Sequence, residues 1–154
     1  SAPRGSGGST GRPIAFISNM MLGNVTVFDP ATQKAEGEVV MPRVGARLPF
    51  PGPLAALPDG SKVYVANLNS ESLVAIDVAS RSAGARIPLQ QVPQEMAVTP
   101  DGRLLFVAND GSAVIVVDSE RDAEVGRIEV GAPSAGAAMA PDGSQAWFST
   151  AEGV

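Results

Sequence analysis

The tripeptide Pro-Asp-Gly occurs three times in this chain, at residues 58–60, 100–102 and 141–143, with steps of 42 and 41. A second marker keeps the same phase: Val65-Ala66-Asn67 returns as Val107-Ala108-Asn109, weakens to Phe148-Ser149-Thr150, and has an early counterpart in Ile17-Ser18-Asn19. A third is a β-branched run closed by aspartate, at Val25–Asp29, Val74–Asp77 and Val114–Asp118. From the asparagine to the aspartate the separation is 10, 10 and 9 residues. Three independent markers in one register identify a repeated structural unit, and fixed periods of this length belong to repeat architectures.

Each period contains four strand-like runs divided by turn chemistry. The first precedes Pro-Asp-Gly (Gln94 to Thr99). Pro-Asp-Gly then makes a tight turn, because proline presets φ and glycine accepts a positive φ. The second run is Leu104–Asn109, matching Lys62–Asn67, and leads into a short polar hairpin (Asn69 to Ser72, or Asp110 to Ser112). The third is Val114–Asp118, and the fourth is Glu124–Val130, matching Ala83–Leu89. Four short antiparallel strands per 42-residue unit predict an all-β fold built of β-propeller blades. No stretch of helical periodicity competes, and 17 glycines with 13 prolines suit many turns.

The succession Pro-Asp-Gly, Val-Tyr-Val-Ala-Asn, Leu-Val-Ala-Ile-Asp resembles the YVTN family of β-propeller repeats. Residues 58–78 carry it most closely, 100–118 nearly as well, and 14–29 in part. The resemblance implies a propeller over residues 13–154, after a glycine- and serine-rich segment 1–12 expected to be flexible. It implies no single function, since such repeats serve binding proteins, surface proteins and cofactor-carrying enzymes alike. By analogy with its members it also implies export, to a periplasmic or extracellular location.

Labelling the strands of a blade a to d, the chain begins at strand b, completes two blades, and ends after a and b of another. Thirteen strands make about three and a quarter blades, a partial ring, where propellers have about four to eight. Glu152-Gly153-Val154 falls, by register, in a hairpin before a further strand c. Open sheet edges recruit partners, so the expected partner is another copy of the chain or the remainder of a longer propeller. Phe16, Trp147 and Phe148 are the apolar residues expected at those assembly edges. Trp147 is placed in the register of Tyr64 and Leu105.

One connection breaks the period. Asp29 to Pro58 spans 29 residues where Asp77 to Pro100 and Asp118 to Pro141 span 23. The extra residues fall in Met41 to Pro53, between a strand d and the next strand a, the face on which propellers usually bind ligands. Arg43, Arg47 and an exposed Phe50 in this proline-stiffened loop are the candidate binding residues for a protein or small-molecule ligand, since stiff loops lose little entropy on binding. The alternative reading is a loop that simply covers the blade beneath it.

Composition removes several chemistries. The chain has no Cys and no His, so no thiolate nucleophile, no zinc site of the usual kind and no Ser-His-Asp triad. A net charge of −5 lacks the basic footprint for nucleic acid, and no apolar run reaches a membrane span. The aspartates ending the third strands (Asp29, Asp77, Asp118) are expected to cap turns, as are the Pro-Asp-Gly aspartates and the asparagines at 19, 67 and 109. Met20 and Met21 are expected to pack in a hairpin rather than bind a soft metal. No catalytic residue, metal site or cofactor is therefore expected within the chain. The function expected is a non-catalytic binding or scaffold module. The alternative is a segment of a propeller enzyme, lactonase-like or a quinone- or haem-dependent oxidoreductase, whose catalytic residues lie elsewhere.

Overall fold

The structure is a computed structural model and describes residues 12–151. Residues 1–11 and 152–154, where a flexible segment and a last hairpin were expected, lie outside the described residues. Arg12, assigned from sequence to that segment, is tied to the fold by ion pairs with Asp29 and Glu36.

Among the described residues, thirteen strands form four antiparallel sheets. The first sheet holds β1 (Ala15–Asn19), β2 (Asn24–Asp29) and β3 (Lys34–Val40). The second holds β4 (Pro51–Ala56), β5 (Lys62–Asn67), β6 (Ser72–Asp77) and β7 (Ser82–Pro88). The third holds β8 (Pro93–Val98), β9 (Leu104–Asn109), β10 (Ala113–Asp118) and β11 (Ala123–Glu129), and the fourth β12 (Ser134–Met139) and β13 (Ala146–Thr150). None closes into a barrel. Among the described residues the helical content is one 3-10 turn, Leu68–Ser70, within the hairpin that the sequence presented as merely polar. No helix is long and apolar enough to cross a membrane among these residues.

Within each sheet, strands follow chain order and the turns repeat in detail. Gly60, Gly102 and Gly143 take φ of 73°, 74° and 74°, and each donates its N–H three residues back, to Leu57, Thr99 and Ala140. That positive φ is what confines the position to glycine. The turns also nest. A methyl on Gly102 would lie 3.3 Å from Pro58 Cδ, and one on Gly143 3.0 Å from Pro100 Cδ. The pairings between third and outer strands slip register at Val27/Phe28, Val74/Ile76 and Val116/Val117.

Period-two alternation explains how the sheets stack. In β5, Val63 and Val65 join Val25, Val27, Val39 and Met41 in a core between the first and second sheets. Tyr64 and Ala66 point the other way, into a core with Leu105, Val107, Ile115 and Val117 of the third sheet. A sheet buried on both faces needs an apolar residue at every position, and β5 reads Val-Tyr-Val-Ala accordingly. Each fully buried side chain of this size contributes roughly 1.5–3 kcal/mol.

One boundary differs from the sequence reading. Pro51, Gly52 and Pro53, assigned to the inserted loop, open β4, where Pro51 lies opposite Asn67. β4 is an edge strand, and there a missing proline N–H costs no ladder bond.

Candidate functional site

The insertion is residues 41–50, where the equivalent connections are residues 89–92 and 130–133. It is held at both ends. On the first sheet, Met41 is buried and donates its N–H to the Gly23 carbonyl at 3.4 Å. Pro49 sits so close to Gly23 that a methyl there would lie 2.9 Å from Pro49 Cγ. On the second sheet, Arg47 Nη1 donates to the Asn69 carbonyl at 2.8 Å, and Asn69 Nδ2 donates to the Leu48 carbonyl at 3.2 Å. The Phe50 carbonyl accepts from Leu68 N–H at 3.0 Å, while its own N–H donates to Asn67 Oδ1 at 3.0 Å. Between these anchors Val44 and Arg47 form a β-bridge around Gly45, whose φ is 59°. The loop clasps two neighbouring hairpins.

This changes the roles of the candidate binding residues. Phe50, expected to be exposed, is half-buried and both its backbone groups are engaged. Arg47 is exposed, yet its guanidinium holds the loop to the second hairpin and lies 3.9 Å from Glu71. Arg43 is exposed and has no acidic partner among the described residues. Around it lies a groove of about 300 Å³ lined by Met21, Leu22, Val40, Leu48 and Pro49. Met20 and Met21 do not pack in their hairpin as expected. They are 44% and 90% exposed, alongside Leu22, Val40 and Leu48 at 74%, 76% and 57%. Pro49 of the insertion occupies the space against Gly23, and the hairpin tip beside it stands in solvent. Sequence reasoning missed this cluster because its members come from three separated segments.

The three expected edge residues also divide. Phe16 packs inward against the first core, and Phe148 faces the third sheet, its ring centroid 6.2 Å from that of Phe106. Trp147 alone faces out, 53% exposed. The residue in register with Trp147 and Tyr64 is Phe106, not Leu105; each of the three lies five residues after its turn aspartate. Tyr64 is fully buried under the third sheet, and Phe106 is half-buried against the two-stranded fourth.

Carboxylates serve the scaffold. Asp29, Asp77 and Asp118 accept turn N–H groups of Ala31, Ser80 and Glu120 at 2.8, 2.7 and 2.9 Å. The Thr32 and Ser80 hydroxyls, and for Asp118 the Arg121 N–H, hold these carboxyls below their ordinary range. Across the second and third sheets, Lys62 Nζ donates to Asp122 Oδ2 and the Ser119 carbonyl, both at 2.8 Å. The Tyr64 hydroxyl donates to Asp122 Oδ1 at 2.5 Å. Burial, reinforced by Asp122, pushes the Tyr64 phenol well above its usual value. No group of three or more metal-ligating side chains is assembled among the described residues.

No family model matches the chain, and no curated protein does. Solved structures do share the arrangement. The chain is similar to hydrazine synthase of Kuenenia stuttgartiensis. The two share 28% identity with a TM-score of 0.80, over 98% of this chain and 46% of the hydrazine synthase chain. This chain thus spans about half the length of the hydrazine synthase chain it matches.

Proposed function

We propose that the chain is an arc of a YVTN-like β-propeller, about three and a quarter blades, acting as a non-catalytic binding and scaffold module. Its ring is completed by the remainder of a longer chain or by another copy. One observation carries this reading: the aromatic at a single register position goes from buried (Tyr64) through half-buried (Phe106) to exposed (Trp147) as the covering sheet shrinks and then ends. Trp147 occupies a position built to be covered. Likeness to 46% of the hydrazine synthase chain supports completion within a longer chain. The inserted loop is the contact surface, and the resemblance supports a periplasmic or extracellular location.

The same likeness favours a second reading, in which the arc is the framework of an enzyme and residues beyond this chain carry the chemistry. Turnover of a lactone or of an electron donor by a longer chain containing this arc, with none by the purified arc alone, would establish that second reading and remove the first; turnover by the purified arc itself, abolished by one substitution, would overturn both.

Completion by further sheets is tested with Trp147, the one tryptophan in the chain. At micromolar concentration, sedimentation is expected to show a dimer or larger species, with Trp147 emission shifting to the blue as concentration rises. A 15.7 kDa monomer whose emission is unchanged by dilution would show that the face needs no cover.

A further inference from the structure

The groove around Arg43 is the feature that the stacking of the sheets does not account for. Five large apolar side chains, Met20, Met21, Leu22, Val40 and Leu48, stand 44–90% exposed at one corner of the molecule. An apolar cluster left in water at this density marks an interaction site. It is also a built feature. Met41 is buried beneath the groove, Pro49 is seated on Gly23, and Arg47, Asn69 and Phe50 fasten the wall to the neighbouring hairpin. The groove is thus set before any ligand arrives, which lowers the entropic cost of binding. Methionine adds a soft, adaptable lining, and Met with Arg is the pairing enriched at the centres of protein interfaces.

Charge selects the occupant. Arg43 lines the groove, is exposed, and has no acidic partner among the described residues. A cation on an apolar wall favours a ligand that brings large apolar side chains together with a carboxylate. We propose that this groove docks a segment of another protein that carries leucine-like side chains interleaved with acidic ones. The proposal rests on reading the inserted loop as a contact surface, and it moves the contact from Arg47 and Phe50, which hold the loop, to Arg43, Met21, Leu22, Val40 and Leu48.

The five methionines make the test direct, since Met21 and Met41 line the groove, Met20 precedes Met21 in the chain, and Met96 and Met139 belong to the third and fourth sheets. Methyl NMR of the full chain is recorded during titration with a short blocked peptide alternating leucine and glutamate, and with its twin in which lysine replaces glutamate. The acidic peptide is expected to move the groove methyls and leave those of Met96 and Met139 in place, with the lysine twin binding about tenfold more weakly. Arg43→Glu is expected to invert that order, and Leu48→Ser to weaken both peptides; both sites are exposed, so unchanged thermal melts verify the fold. No shift with the acidic peptide, equal affinity for both peptides, or equal movement of all five methyls would each overturn the proposal. Failure of the chain to self-associate would count against completion of the ring and leave this result standing.

Discussion

Tyr64 donates its hydroxyl to Asp122 at 2.5 Å, tying a strand of the second sheet to a turn of the third. The same carboxylate receives Lys62 at 2.8 Å, so one turn residue holds two cross-sheet contacts. Removing the hydroxyl in Tyr64→Phe leaves the ring packed and Asp122 still paired with Lys62. A loss of about 1–2 kcal/mol is expected, within the span for bonds to charged groups after allowance for the partial exposure of Asp122. Urea unfolding with an unchanged slope and a lower midpoint measures it.

Tyr64 is the one tyrosine in the chain, so its ionisation can be followed by phenolate absorbance. Burial, then the neighbouring Asp122, raises the native phenol above its usual value near 10. A raised native pKa means that this stabilisation is complete below the unfolded value and is lost as pH climbs above it. Native protein taken past pH ~10 is expected to show little phenolate signal until it unfolds, whereas protein in urea titrates normally. Coincident curves would show that the hydroxyl is not held as described.

Six turn carboxyls, Asp29, Asp59, Asp77, Asp101, Asp118 and Asp142, lie below their ordinary range because turn N–H and hydroxyl groups donate to them. A depressed native pKa contributes stability that is present above the unfolded value, near 4, and lost as pH falls below it. The urea midpoint is expected to hold from neutrality to about pH 5 and then to decline steadily. A midpoint that is flat on acidification would contradict the capping role.

Gln33, Arg81 and Asp122 each sit four residues after a strand-ending aspartate, with φ of 57°, 54° and 49°. A non-glycine residue there costs roughly 1–2 kcal/mol, part of which glycine returns as unfolded-chain entropy. Gln33→Gly is therefore expected to stabilise the fold by about 0.5 kcal/mol. Asp122→Gly should destabilise it despite the relaxed backbone, because Tyr64 and Lys62 lose their partner. Thermal melts of the pair separate the two effects.

Gly60 and Gly143 share nearly the same φ, yet a methyl on Gly60 meets nothing within 4 Å while one on Gly143 would lie 3.0 Å from Pro100. Alanine at either position incurs the backbone cost of roughly 1–2 kcal/mol. Gly143→Ala is expected to lose clearly more than Gly60→Ala, the excess reporting the contact between successive turns. Equal losses would mean that the turns do not support one another.

Much of this was legible because repetition supplied its own controls. Asp77 and Asp118 could be read as turn caps from a single spacing, and Lys62–Asn67 and Leu104–Asn109 have the bounds their shared pattern implied. The departures have local causes. Pro51-Gly52-Pro53 looks like loop by composition, and only its place on a sheet edge lets it be strand. Phe50 looks exposed among prolines until Asn67 and Leu68 engage its backbone. Met21, Leu22, Val40 and Leu48 carry no shared spacing, so the groove they line has no signature in one dimension. The positive φ at Gln33 and Arg81 was hidden because nothing in those side chains announces it.

The slips at Val27/Phe28, Val74/Ile76 and Val116/Val117 bear on how the protein behaves when concentrated. β3, β7 and β11 are edge strands, and an edge of unpaired amides is a template for fibril growth. Each slip sits on the pair that includes such a strand, where an extra residue bends the chain and increases its twist. Charged side chains at Lys34, Glu38, Arg86 and Glu129 stand exposed along the same edges. The outer rim is thereby made a poor seed for amyloid, and a solution of this chain should resist ordered aggregation along its rim even while its sheet faces remain adhesive.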